Sequence, residues 1–244
     1  MTKSKKVSEK LNLLHLLGYG CGDGGGMLTL YIVSGYLTRY VTNVLKLDPA
    51  ILATMLLVWN IWDAVNDPLI GALIDSDKRK YKMGKFKTYI FIGACGLLVA
   101  GALVFIPAPN AETWIKAILF IAGYVVWDAC YTTANVPYGS MLSLITENPG
   151  ERAQLSTWRS IGSMFGNMAP MMILPMLIWE KVFDENGNPV INEETGVQAE
   201  VLLGNRVFLA ALIMGVLAFV FFVFMLKNIT IRGDEYSELN AEGE

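Results

Sequence analysis

Two aspartates lie in the middle of an otherwise apolar helical stretch, Trp59 to Asp75 (WNIWDAVNDPLIGALID). At about 100° per residue, Asp63 and Asp67 share one helix face with Asn60 and Asn66. Carboxylates one turn apart repel each other, so in a low-dielectric site one must be protonated or a cation must lie between them. Carboxylate and amide oxygens suit a hard cation or a proton. The spacing therefore predicts a cation site.

A proline in the same stretch favours this interpretation. Pro68 has no N–H to donate to the carbonyl of Ala64, so that oxygen is freed as a further ligand one turn back. The opposite face is apolar and can meet lipid or neighbouring helices; it holds Leu57, Trp62, Val65 and Leu69.

Two other apolar stretches carry polar stripes at helical spacing. One stripe consists of Asp128, Tyr131, Thr132, Asn135 and Gly139, with Pro137 among them. The next stretch offers Arg159, a counter-charge for one of the aspartates, whose guanidinium can hold carboxylate or hydroxyl groups in a bidentate way. Two plainer interpretations stay open. Arg159 could form a purely structural salt bridge with Asp23, and Asp128 could lie near the membrane interface.

The composition predicts the elements that position these residues. The 244-residue chain is 54% hydrophobic and 17% charged, with a mean hydropathy of +0.44, whereas a soluble domain carries about 25% charged residues. Val207 to Leu226 and Tyr89 to Pro107 contain no charge and are long enough to cross a bilayer. We predict an all-α integral membrane protein with one domain, residues 1–232. Its six spans lie at about 11–38, 50–74, 88–107, 114–145, 155–179 and 204–227.

Lysine and arginine are concentrated on one side of these spans. They crowd the N-terminus (Lys3 to Lys10) and the segment from Lys78 to Lys87, and they recur at Arg152, Lys227 and Arg232. The positive-inside rule then places both termini in the cytoplasm, with the chain in the cell (inner) membrane. A basic segment held between two spans is a topology signal, so we expect no nucleic-acid partner.

The longest connection, 180–203, is acidic and is predicted to be external. Its Asn-Gly-Asn-Pro run, Asn186 to Pro189, is expected to turn a short hairpin. The alternation from Asp184 resembles the start of a calcium loop, but glycine occupies the fourth position and Thr195 replaces the final glutamate. We expect a solvated loop. The acidic tail, 233–244, is predicted to be disordered and cytoplasmic.

Glycines crowd the first span in "GYGCGDGGG", Gly18 to Gly26. The stretch contains the spacing of a dinucleotide fingerprint, but no strand or βαβ unit accompanies it. In a membrane helix, clustered glycines favour close helix packing or local unwinding.

Four motifs, in order and at matching spacing, carry a family likeness. They are "WDAVNDPLIG", "RKYKMGKFKTYIFIG", "YTTANVPYGSM" and "ERAQLSTWRSIG". In these motifs the chain resembles the glycoside–pentoside–hexuronide:cation symporter family (melibiose/sodium symporter-like carriers), within the major facilitator superfamily. The likeness covers essentially the whole chain.

The resemblance implies roles for individual residues. Asp63 and Asp67 match the family's cation-binding pair, with Asn66 and Thr132 nearby, and the coupling cation is Na⁺ or H⁺. Asp23 and Arg159 match the sugar site, to which Asn135 and Tyr131 are added as candidates. Asn135 and Gly139 replace an aspartate and a tryptophan that contact the sugar in the melibiose carrier, so another glycoside, a pentoside or a uronide is an equal expectation.

Family members have twelve spans in two halves, and this chain matches the N-terminal half only. We therefore expect a partial carrier that lacks its C-terminal half or, less readily, forms a homodimer. Two other functions remain open: a related carrier for an amphiphile such as a lysolipid, and a non-transporting membrane partner protein. We expect no enzyme, cofactor or metal beyond the coupling cation, because the sequence offers no nucleophile–base pair or metal cluster.

Overall fold

The computed structural model describes residues 11–108, 110–193 and 195–233. Within them the chain forms six long helices and a small hairpin. The helices are α1 (Leu13–Arg39), α2 (Pro49–Ser76), α3 (Lys85–Val104), α4 (Thr113–Ile145), α5 (Pro149–Ile178) and α6 (Gly204–Asn228). A π-helical turn, Tyr40–Val44, continues α1, and strands β1 (Trp179–Lys181) and β2 (Glu200–Leu202) pair antiparallel.

Four of these helices, α3 to α6, are long and apolar enough to cross a membrane. The other two, α1 and α2, have 27 and 28 residues, which at about 1.5 Å per residue also exceeds a bilayer core of about 30 Å. These two helices carry Asp23, Asp63 and Asp67. Each of the six helices overlaps one of the apolar segments of the sequence, and α2 continues through Pro68.

The glycine cluster of α1 is used for close packing. Gly20 faces α5, where an added Cβ would lie 2.6 Å from the carbonyl oxygen of Trp158. A Cβ on Gly166 would lie 2.5 Å from the carbonyl oxygen of Gly24, and one on Gly162 would overlap that of Gly20. Because α1 is unbroken from Leu13 to Arg39, the structure favours packing over local unwinding.

The basic segments gather at one end of the bundle. The Nζ of Lys85 donates to the carbonyl of Asp75 at 3.0 Å, and that of Lys87 donates to the carbonyl of Leu226 at 3.0 Å. Arg232 pairs with Glu151 at 3.6 Å, which brings the chain after α6 to the start of α5. At the opposite end, the Tyr40 hydroxyl donates to the carbonyl of Phe105 at 2.9 Å. The N-terminal lysines lie outside the described residues, and the side of the membrane on which this end lies stays a prediction.

The connection between α5 and α6 adds a β-hairpin to the expected all-α architecture. Its predicted turn is confirmed: Gly187, with φ of 80°, donates to the carbonyl of Asp184, and Phe183 pairs with Pro189. The Asp184 carboxylate accepts from the backbone N–H of Asn188 at 2.7 Å, and bonds of this kind lower its pKa. The predicted disordered tail lies outside the described residues apart from Gly233, which donates to the carbonyl of Leu144.

Asp77, just after α2, lies at the basic end of the bundle and accepts three hydrogen bonds there. The Asp77 carboxylate accepts from the hydroxyls of Tyr81 at 2.5 Å and Tyr89 at 2.6 Å, and from the backbone N–H of Arg79 at 3.0 Å. Bonds to the charged form, that from Tyr81 first, lower the pKa of Asp77 to about 2.

This pKa gives a pH prediction. A depressed folded-state pKa contributes stability that is present above the unfolded value, 3.8, and is lost as pH falls toward about 2. Carbon NMR of labelled aspartate should place the Asp77 midpoint near the lower value. The double variant Tyr81→Phe, Tyr89→Phe should return the midpoint toward 3.8. An unchanged midpoint in that variant would contradict the assigned cause.

Candidate functional site

A chain of hydrogen bonds joins α2 and α4 near the midpoint of both helices. The Asn66 Nδ2 donates to the Asp128 carboxylate at 2.7 Å and to the Thr132 hydroxyl at 2.9 Å. The Thr132 hydroxyl in turn donates to Asp67 Oδ1 at 2.9 Å. The two ends of this chain are carboxylates that only accept when ionised. In this chain Asn66 and Thr132 are the donors, and the two carboxylates are the terminal acceptors.

Helical spacing explains why these four residues meet. Asn66 and Asp67 are adjacent on α2, while Asp128 and Thr132 lie one turn apart on α4, the helix against which α2 packs. Asn66 is 1% exposed, and a buried amide without partners would cost about 1–3 kcal/mol. The network removes that cost and fixes the amide orientation, with Nδ2 toward the two acceptors.

Asp63 belongs to the same face but has a different partner. Its carboxylate accepts from the Tyr124 hydroxyl at 3.3 and 3.4 Å. Tyr124 is itself held against Trp59, with ring centroids 4.6 Å apart. The predicted cation-site residues thus form two separate groups of hydrogen bonds. Asn66, Asp67 and Thr132 are bonded together, whereas Asp63, one turn before Asp67 on α2, is bonded to Tyr124 of α4.

Asp128 is the residue whose role the sequence analysis missed. Asp128 is 8% exposed and bonded to Asn66, so it is enclosed between helices, and its position relative to the membrane interface stays a prediction. The available signal was its spacing of one turn from Thr132 on the polar stripe. Tyr124, one turn earlier on α4, extends that stripe to Asp63.

These acidic residues do not form a chelating cluster. Among the described residues, no three His, Cys, Asp or Glu side chains converge closely enough to hold a metal ion. A hard cation between α2 and α4 would therefore draw on oxygens of different types, such as the carboxylates of Asp63 and Asp67, the amide of Asn66 and the hydroxyl of Thr132. That donor set suits a monovalent hard cation or a proton.

The second predicted pair, Asp23 and Arg159, is formed between α1 and α5. The Arg159 Nε donates to Asp23 Oδ1 at 3.0 Å. Asp23 is 6% exposed whereas Arg159 is 36% exposed, so the aspartate is enclosed and the guanidinium is open on one side. The guanidinium lies 5.2 Å from the Tyr138 ring centroid, within the range of a cation–π contact. Arg159 keeps donors that the pair does not use.

The other two sugar-site candidates, Tyr131 and Asn135, both lie on α4. Tyr131 stacks on Trp127 with centroids 5.4 Å apart, and a Cβ on Gly26 would lie 3.6 Å from Tyr131 Cε2. Tyr131 therefore bridges α4 and α1 near Asp23. Asn135 is half-buried and makes no hydrogen bond with the described residues. The structure places Asn135 one turn from Tyr131 without joining it to the Asp23–Arg159 pair.

The interior charge of the bundle is unbalanced. Asp23 and Asp128 are buried, Asp63 is half-buried and Asp67 is exposed, and Arg159 is the one basic side chain midway along a described helix. The arginine is paired with Asp23, so the α2–α4 seam keeps three carboxylates without a cationic side chain.

Comparison with known proteins places this geometry in context. The sequence profile described as "MFS/sugar transport protein" matches residues 18–241. The "Uncharacterized symporter YjmB" of Bacillus subtilis is 34% identical over 72% of this chain and 38% of its own length. The "Putative sulfoquinovose importer" of Escherichia coli K12 is 33% identical over 68% of this chain and 35% of its own. The "Putative glycoside/cation symporter YagG" of the same organism is 31% identical over 66% of this chain and 34% of its own length.

The chain thus spans only a little more than a third of the length of these relatives, 34% to 38%. The profile nevertheless matches nearly the whole chain, and the relatives are symporters of the major facilitator superfamily. The apolar helices and these matches together identify a multi-pass membrane protein. The chain belongs to the MFS/sugar transport family.

Proposed function

We propose that this chain forms the N-terminal, six-span part of a cation-coupled symporter for a glycoside, pentoside or uronide. Asp63, Asp67, Asn66 and Thr132 bind the coupling cation, Na⁺ or H⁺. Asp23 and Arg159 bind the sugar, with Asn135 and Tyr131 beside them. The carrier is a transporter and not an enzyme, and a C-terminal half supplies the facing wall of the sugar site.

The observation that carries the proposal is the bonded chain from Asp128 through Asn66 and Thr132 to Asp67. A purely structural contact between α2 and α4 would be made more cheaply with apolar residues, because buried charges are costly in a bilayer. Three carboxylates on one seam are better explained as a site whose charge is neutralised on binding. The names of the relatives, which include "Glucuronide carrier protein homolog" from Escherichia coli, support a sugar as cargo.

Coupling follows from the arrangement of the two sites. A cation that neutralises Asp63 and Asp67 lowers the repulsion along α2 and lets this helix settle against α4. Tyr131 of α4 lies against α1 at Gly26, three residues after Asp23, so a shift of α4 reaches the sugar pair. If each ligand favours the same arrangement, each raises the affinity for the other by an equal factor.

The position of the basic side chains supports one orientation of the bundle in the membrane. Lys85, Lys87, Arg152 and Arg232 meet at the end where α2 and α6 finish and α3 and α5 begin. We assign this end to the cytoplasm and the hairpin to the outside, in the cell membrane. The termini 1–10 and 234–244 lie outside the described residues.

Cation binding can be tested on the chain itself. In detergent, NaCl should raise the midpoint of thermal unfolding relative to choline chloride of equal concentration; at 100 times Kd the stabilisation is about 2.7 kcal/mol. If the coupling ion is H⁺, acidification should replace Na⁺ in this effect. Asp67→Asn should abolish the response, because it removes the charge at the end of the network.

Asp184→Asn is the matched control, since it makes the same acid-to-amide change in the exposed hairpin. This variant should keep the full response. If neither Na⁺ nor acidification stabilises the parent chain, or if Asp67→Asn responds as the parent does, the cation site is wrong.

A further inference from the structure

Tyr138 of α4 is a buried side chain that contacts both helices of the Asp23–Arg159 pair. Its ring centroid lies 5.2 Å from the guanidinium carbon of Arg159 on α5, within the range of a cation–π contact. Its hydroxyl donates to the backbone carbonyl of Tyr19 on α1 at 2.7 Å. One side chain of α4 therefore touches α5 at the arginine and α1 one turn before the aspartate.

The hydroxyl bond of Tyr138 is not needed to satisfy the carbonyl that accepts it. In the unbroken helix α1, the carbonyl of Tyr19 is the acceptor for the backbone N–H of Asp23, four residues later. A carbonyl oxygen has a second lone pair, and Tyr138 uses it. The bond thus attaches α4 to the turn of α1 that carries Asp23, so the position of Asp23 depends on that of Tyr138.

The surroundings of Tyr138 fix its orientation. Its ring stacks on that of Tyr19, with centroids 4.8 Å apart and planes at 28°. Gly22 makes room for this ring, because a Cβ on Gly22 would lie 2.5 Å from Tyr138 Cε2. Tyr138 is only 1% exposed, so it is too enclosed to contact a ligand. Any effect of Tyr138 on the sugar site must pass through the Asp23–Arg159 pair, whose arginine is 36% exposed.

The helix that carries Tyr138 also carries half of the cation network. Asp128 and Thr132 of α4 belong to the bonded chain with α2, and Tyr138 follows Thr132 by about 9 Å along the helix axis. Pro137, immediately before Tyr138, has no N–H to complete the helix, so α4 bends most easily here. A rearrangement of α4 at the cation network therefore changes the angle at which Tyr138 meets the guanidinium.

We propose that Tyr138 is a positioning residue for the sugar site and connects that site to the cation network. Its ring sets the orientation of the Arg159 guanidinium, and its hydroxyl sets the position of Asp23. This role rests on the proposed function and extends it, because Tyr138 is then a side chain through which the cation regulates the sugar pair.

Nitrogen NMR of labelled arginine in the purified 244-residue chain tests this role. The Nε–H signal of Arg159 is identified by its loss in Arg159→Lys. We expect NaCl to shift this signal relative to choline chloride, or acid to shift it if acid is what stabilises the chain in thermal unfolding. Asp67→Asn, which removes the cation response, should also remove the shift.

Tyr138→Phe keeps the ring and removes the hydroxyl, so the variant separates positioning from packing. It should lose most of the cation-induced shift of the Arg159 signal. It should also raise the hydrogen-exchange rate of the Arg159 Nε–H by about fivefold, the factor that corresponds to one lost hydrogen bond between neutral groups.

Tyr40→Phe is the matched control. The Tyr40 hydroxyl is also buried and donates to a backbone carbonyl, that of Phe105, but at the hairpin end of the bundle. This variant removes an equivalent bond and should keep both the shift and the exchange rate of the parent chain. The thermal response to the cation reports that each variant is folded with its cation site intact.

The role of Tyr138 is wrong if Tyr138→Phe keeps the full shift and the parent exchange rate, or if Tyr40→Phe loses the shift to the same extent. It is also wrong if the cation stabilises the parent chain without moving the Arg159 signal, and the proposed cation site then stands. If neither Na⁺ nor acid stabilises the parent chain, the proposed cation site falls and the role of Tyr138 falls with it.

Discussion

Replacing Arg159 with leucine is expected to destabilise the chain by about 3 kcal/mol, because Asp23 would remain buried without its counter-charge. This value is at the lower end of the range for breaking a buried pair, since the guanidinium is 36% exposed and partly screened by solvent. Unfolding in a mixed-micelle titration, followed by circular dichroism, measures the change in free energy.

Two further variants give this prediction its control. Arg206→Leu removes an arginine from an exposed pair with Glu180 at 3.3 Å, and it should change stability by about 1 kcal/mol or less. The double variant Asp23→Asn, Arg159→Leu should recover much of the loss, because no buried charge remains. If the double variant is as unstable as Arg159→Leu alone, lost packing of the long arginine side chain explains the effect and the electrostatic account is wrong.

Replacing Gly162 with alanine should separate α1 from α5. The added methyl group would overlap the carbonyl oxygen of Gly20, which is backbone and cannot rotate away. Overpacking of this kind costs about 1–3 kcal/mol, and more where only a helix displacement relieves it. The same unfolding titration measures the cost, and the strain should also weaken the Asp23–Arg159 pair that joins these two helices.

Gly71→Ala makes the same chemical change in the interior of α2, where no atom lies within 4 Å of the added carbon. Alanine is favoured over glycine in a helix by about 1 kcal/mol, so this variant should be neutral or slightly more stable. Opposite signs for the two substitutions would support the close α1–α5 contact. Equal effects would show that the contact is looser than described.

Helix placement could be predicted because each helix is a long apolar run with short polar connections. The face shared by Asp63, Asn66 and Asp67 could also be predicted, because residues three and four apart lie side by side on a helix. The sequence predicts that Arg159 pairs with a carboxylate, because a lone arginine in an apolar span needs a counter-charge. It does not single out Asp23, since the spans contain several aspartates.

Contacts between helices could not be read from the sequence in the same way. The bond from Asn66 to Asp128 depends on the axial register of α2 against α4, which side-chain packing sets along the whole interface. A cavity of about 210 Å³ beside Trp59 depends on the spacing of α1, α2 and α4, which the amino-acid composition does not determine. The hairpin turn is the exception, because Asn-Gly-Asn-Pro has a local conformational preference that needs no partner helix.

The separation of Asp23 and Arg159 by 136 residues has a consequence for biosynthesis. At about 5–20 residues per second, a ribosome needs roughly 7 to 27 s to extend the chain from the first residue to the second. During that interval α1 has left the ribosome while its counter-charge has not yet been made. The Asp23 carboxylate is therefore without its arginine partner until α5 has been made.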